Sequence, residues 1–109
     1  MATAELAVAL PTLVLVLAVA LTALDLGVAQ VRCVDAARVG ARLLARGEPA
    51  AGVLQEVRAA APEGARVSTA VSGGRVVVVV AGPVPSTLEG LGVGLRPSAT
   101  AVAVLEAPV

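Results

Sequence analysis

The chain has 109 residues, enough for one small domain. Hydrophobic residues make up 58% of it and none is aromatic, so the usual core fillers are missing and much of the apolar content must serve a membrane or a subunit contact. Eight basic residues, all Arg, balance eight acidic ones, which leaves no electrostatic footprint for nucleic acid; the absence of His and the single Cys exclude His-based acid–base catalysis, Cys–His pairs and the common zinc sites.

Leu6 to Leu24 is uncharged and is interrupted only by Pro11, Thr12 and Thr22. At 1.5 Å per residue it spans roughly 28 Å, the thickness of a bilayer's hydrocarbon core. A cleaved signal peptide would carry a basic start, a shorter apolar stretch and a small-residue cleavage site. Here no Arg precedes the span, and the helical pattern continues beyond it. QVRCVDAARVGARLLARG contains no Pro and no turn cluster before Gly47-Glu48-Pro49, so one helix is predicted from about Ala4 to Arg46. Its second half is amphipathic, with Arg38, Arg42 and Arg46 on one face and Asp35 three residues before Arg38. Ala36, Ala37, Gly40 and Ala41 form a small-residue patch that another element could approach closely.

AAGVLQEVRAAA (50–61) reads as a short amphipathic helix with Val53, Leu54, Val57 and Ala61 inward, ended by Pro62-Glu63-Gly64. ARVSTAVS (65–72) alternates Val67, Thr69 and Val71 against Arg66, Ser68 and Ala70, as a half-buried strand does. Gly73-Gly74 joins it to RVVVVVA (75–81) through a two-residue turn that needs positive φ. The unbroken valines of that strand predict a central position, with both faces covered or one sealed by a helix or a neighbour. GPVPSTLEGLGVGLRP (82–97) is a Gly- and Pro-rich loop, long enough to suggest a function or mobility, and SATAVAVLE (98–106) completes an antiparallel meander. The predicted fold is therefore α+β, with a long N-terminal helix (1–46, spanning about 6–24) and a small head (47–109) of a short second helix and a three-stranded antiparallel sheet. A head that small is expected to need the amphipathic half of the long helix as cover.

No constellation in the chain predicts catalysis, a cofactor or a metal. Ser68, Ser72, Ser86 and Ser98 have no partner base, Glu89 and Glu106 read as solvated surface charge, and the glycines of GGR and GLGVG lack phosphate-loop spacing. Three side chains carry particular interest. Cys33, just past the span, is either a small buried apolar residue or a disulfide partner for another chain. Pro11 removes the amide that would bond the Ala7 carbonyl and favours a kink or hinge. Glu5 lies in the first turn, where a carboxylate gains about 0.3–1 kcal/mol from the helix dipole, with Thr3 as the expected N-cap. A carboxylate at the edge of a membrane also carries a desolvation penalty that a neighbouring cation relieves, and the only such charge nearby is a chain-terminal amine.

TAELAVALPTLVLVLAVAL followed by RCVDAARVGARLLARGEP resembles the TadE-like minor pilins (pseudopilins) of actinobacterial tight-adherence (Flp) type IV pilus systems. The resemblance covers about residues 1–50; beyond them only the order helix–strand–strand–strand supports it. It implies a precursor whose basic leader ends in Gly and is removed by a prepilin peptidase, so that Met1 stands at the new terminus. It further implies that Glu5 serves processing or assembly by neutralising the terminal amine of an adjacent subunit. The implied partners are other pilin subunits, the pilus assembly platform and membrane lipid, and the implied place is the cell membrane, single-pass, with the head outside. Four Arg (Arg32, Arg38, Arg42 and Arg46) follow the span and none precedes it, which by charge alone would orient the head inward. A basic leader ahead of Met1 would reverse that bias. Two other readings are a single-pass protein with a small β-rich binding or regulatory head, and an exported protein with a cleaved signal.

Overall fold

A computed structural model describes residues 2–106. The element order is α1 (Ala2–Ala45), α2 (Ala50–Ala60), β1 (Arg66–Ser72), β2 (Arg75–Ala81), α3 (Ser86–Gly90) and β3 (Ser98–Val104), the α+β arrangement expected from the sequence with one short helix added. The molecule measures 79 × 21 × 19 Å because α1, about 66 Å long at 1.5 Å per residue, carries the rest of the chain on its C-terminal end.

α1 starts earlier than expected, so Thr3 lies inside the first turn and does not serve as its N-cap: nothing in Ala2-Thr3-Ala4 resists the helical conformation. It ends where Gly47 adopts φ +84°. The Gly47 amide donates to the Leu44 carbonyl (3.0 Å) and the Glu48 amide to the Leu43 carbonyl (3.1 Å), the paired bonds of a Schellman cap. α2 then folds back along α1 and buries Val53 and Val57. A turn at Pro62–Ala65, with Gly64 at φ +78°, leads into the sheet.

The sheet is an antiparallel meander in the order β1-β2-β3. Ser72 pairs with Arg75 across Gly73 (φ +57°) and Gly74 (φ +77°), the two positive angles of a type I′ turn. β2 is central, and one of its faces is sealed by α1: Val76, Val78 and Val80 are fully buried, while Val77 and Val79 on the other face are half-buried. Ala99, Ala101 and Ala103 of β3 stand beside the buried valines and pack against the same core. On β1, Val67 and Thr69 are half-buried but Val71, expected to face inward, is exposed, because the cover over this edge strand falls away toward the hairpin.

The core is completed by the C-terminal third of α1 through Cys33, Ala36, Ala37, Gly40, Ala41 and Leu44, a stripe at helical spacing. The small-residue patch serves the close approach anticipated for it. A Cβ on Gly40 would lie 2.7 Å from a Val57 methyl and 3.2 Å from a Val78 methyl. Both valines are fully buried and stiff about χ1, so neither can yield easily. Gly40→Ala is therefore expected to destabilise the head by roughly 1 kcal/mol net, overpacking of about 1–3 kcal/mol outweighing a helix-propensity gain of about 1 kcal/mol. Gly52→Ala on α2 meets nothing within 4 Å and should stabilise by up to about 1 kcal/mol. Denaturant unfolding of the two variants in detergent micelles checks the opposite signs.

Candidate functional site: the exposed half of the long helix and its junction with the head

Among the described residues, the apolar segment of α1 is left uncovered over most of its length. Leu6, Leu10, Leu13, Leu17 and Leu24 form an exposed ridge at helical spacing, and the intervening valines are exposed as well. Thr12 and Thr22 donate their hydroxyls to the Val8 and Ala18 carbonyls, each at 2.8 Å, so the two hydroxyls of the segment are satisfied within the helix. Pro11 lies inside a helix that continues unbroken on both sides of it. The helix is long and apolar enough to cross a membrane, a property that membrane anchors and signal sequences share.

The sequence-derived site residues do not form one cluster. Glu5 is exposed in the first turn of α1, and Cys33 lies 28 residues on, about 42 Å along the axis. Met1 lies outside the described residues. Cys33 is a free thiol with no exposed surface, seated under Gly82 and among the alanines and valines of the core. An interchain disulfide would require that packing to open; in the closed head the residue acts as a small apolar filler. Burial pushes its thiol pKa up from the ordinary 9.0, with a hydrogen bond from the Gly82 backbone opposing in smaller measure. Among the described residues no group of His, Cys, Asp and Glu could hold a metal ion, and no buried side-chain polar atom lacks a partner.

Two features at the junction are not apparent from sequence patterning. The first is Gln30, six residues past Leu24, whose amide nitrogen donates to the Ser98 carbonyl (2.7 Å) while its side-chain oxygen accepts from the Ser98 amide (2.9 Å). This two-way bond pins the start of β3 to the helix immediately beyond the apolar segment. The only possible hint was a lone amide between the span and the amphipathic half, which carries no partner information. The second is the course of the 82–97 loop, which the sequence predicts as a loop but without a direction. The Gly82 amide donates to the Pro97 carbonyl at 2.8 Å, closing the loop at its neck, and α3 stiffens its tip. From that neck the loop extends along α1 toward the apolar segment, so that Leu88, Leu91 and Leu95 face Leu15, Ala18, Val19, Thr22, Ala23 and Leu26 across an open groove of about 300 Å³.

Two measurements follow from the junction. With no Lys and no Tyr in the chain, Cys33 is the one side chain besides Arg whose titration falls in the alkaline range. Its raised pKa means that the folded head holds the thiol proton more tightly than the unfolded chain does. The contribution is thus full well below pH 9 and is lost as pH rises through the unfolded value toward the raised one, and Cys33→Ala should abolish that fall; a decline that survives Cys33→Ala would refute the assignment. Gln30→Ala removes two exposed hydrogen bonds and is expected to cost about 1 kcal/mol and to speed hydrogen exchange at the Ser98 amide. Gln30→Glu keeps the acceptor for that amide and should protect it better than Ala does.

The chain matches no protein-family model, no curated protein and no solved structure.

Proposed function

We propose that this protein is a structural or assembly subunit of a pilus-like filament, a minor pilin of the TadE-like kind in a tight-adherence system, anchored by one membrane-spanning helix with its head outside the cytoplasm. The observation that carries this reading is the division of α1: its N-terminal half is apolar and almost wholly exposed, whereas its C-terminal third is built into the core of the head. Such a helix has two natural environments for its leucine ridge, the lipid of a membrane before assembly and a bundle of like helices after it. The role is mechanical, without catalysis or cofactor, and the partners are other pilin subunits, the assembly platform, the prepilin peptidase and lipid.

Glu5 gives the reading its chemical content. Placed in the first turn of a helix whose next nineteen residues are uncharged, it offers a carboxylate at the depth where a neighbouring subunit's terminal amine would lie. Pairing the two neutralises both charges as the helices enter an apolar bundle, where either alone would be costly. Glu5→Gln and Glu5→Leu should leave carbonate-resistant membrane insertion intact yet abolish leader processing or incorporation into pili, seen by immunoblotting of sheared surface fractions. Normal pili from both variants would sink the proposal in favour of a single-pass anchor for a β-rich head. Recovery of a mature chain without its first thirty residues would instead indicate an exported protein with a cleaved signal.

A further inference from the structure

Leu91 is 77% exposed and Leu95 59% exposed, on a loop that could have folded over the head and instead reaches along the helix. The groove between this loop and α1 is lined by leucine, valine and alanine from both sides, and its one polar side chain, Thr22, has its hydroxyl bonded to the Ala18 carbonyl. The far end of the groove is Leu15, ten residues before Asp25 and so about 15 Å below it along the axis. That is the depth of one leaflet of a hydrocarbon core of about 30 Å. Where Leu6–Leu24 spans a bilayer, the loop cannot stay outside it.

The short helix at the tip of the loop and the cap that follows it suit such a setting. Irregular backbone is excluded from hydrocarbon because its amides go unsatisfied. Here the amides of Leu88 and Glu89 donate to the Pro85 carbonyl, those of Leu91 and Val93 to the Leu88 carbonyl, and that of Gly92 to the Glu89 carbonyl, at 2.9–3.1 Å. Gly92 at φ +76° closes this second Schellman cap. The charged residues of the region line a different hollow: Glu89, Arg66 and Arg96 meet there with Gly82 at the neck of the loop and Gly92, Val93 and Gly94 at its tip. The loop thus turns its charge to one hollow and its leucines to another, the leucines beside the span.

We propose that the 82–97 loop is a lipid-seated foot, with Leu88, Leu91 and Leu95 sunk into the leaflet on the head's side and acyl chains filling the groove between them and α1. The inference rests on the reading of Leu6–Leu24 as a membrane span. Lipid is favoured over a second protein chain because the groove's helical wall is continuous with the exposed surface of the span, which lipid already covers.

The chain contains no aromatic residue, so a single introduced Trp reports without background. Leu91→Trp, Val14→Trp in the span and Val104→Trp at the far end of the head, all exposed positions, are to be reconstituted as full chains in phosphatidylcholine–phosphatidylglycerol vesicles with and without brominated acyl chains. The expected result is blue-shifted emission from Leu91→Trp, quenched by bromolipid at least half as strongly as Val14→Trp, with Val104→Trp unquenched; Leu95→Trp should repeat it. Quenching of Val14→Trp alone overturns the foot and leaves the span standing. Blue-shifted but unquenched emission from Leu91→Trp overturns it in favour of a second chain in the groove. Absence of quenching at Val14→Trp removes the span and the foot together.

Discussion

The contact between the small-residue stripe of α1 and the valines of β2 is the one on which the head depends. Val76, Val78 and Val80 are buried only because α1 lies over them, and α1 lies close enough only because Ala36, Ala37, Gly40 and Ala41 present almost no side-chain bulk. A head of about sixty residues without aromatics cannot close a core by itself. Borrowing a third of a helix solves the shortage: Cys33 to Leu44 supply one wall, α2 seals its flank through Val53 and Val57, and the β3 alanines keep the sheet thin enough for the helix to settle. The apolar half of α1 takes no part in that core.

The same economy places the head directly against the apolar segment. No linker separates the two, since the helix that leaves one enters the other without a break, and Gln30 binds the first residue of β3 only six residues past Leu24. The closeness gives the 82–97 loop its geometry. A connection between β2 and β3 that starts at the lower rim of the sheet and is pinched at Gly82 and Pro97 has little direction open to it except along the helix. Its leucines thereby come to lie beside the leucines of α1.

Most of the architecture could be read from local chemistry. The type I′ turn needed Gly73-Gly74, the end of α1 needed Gly47, and a run of five valines belonged in the centre of a sheet, so β1, β2 and the extent of α1 came out within a residue or two. What escaped the sequence depended on one contact between distant segments, one short turn and one burial. Nothing in the spacing of Gln30 announces Ser98, sixty-eight residues away. The α3 turn was hidden in a stretch whose glycines and prolines point to irregular chain, and its helical form depends on hydrogen bonds to the Pro85 carbonyl that composition does not reveal. Cys33 left two readings open in one dimension; burial under Gly82 in three dimensions makes it part of the core. Glu5 and Pro11 remain, as in the sequence, features of a helix that touches nothing around them.

The unbroken passage of α1 from its exposed half into the core has a mechanical consequence. Helix and head form one lever with no universal joint: the Gln30 clamp and the close packing at Gly40 lock the azimuth of the sheet to that of the leucine ridge. Advancing the helix by one residue in its surroundings turns it by 100°, and the head must swing by the same angle. Whatever grips the ridge from outside thus dictates, through torsion alone, which way the head looks.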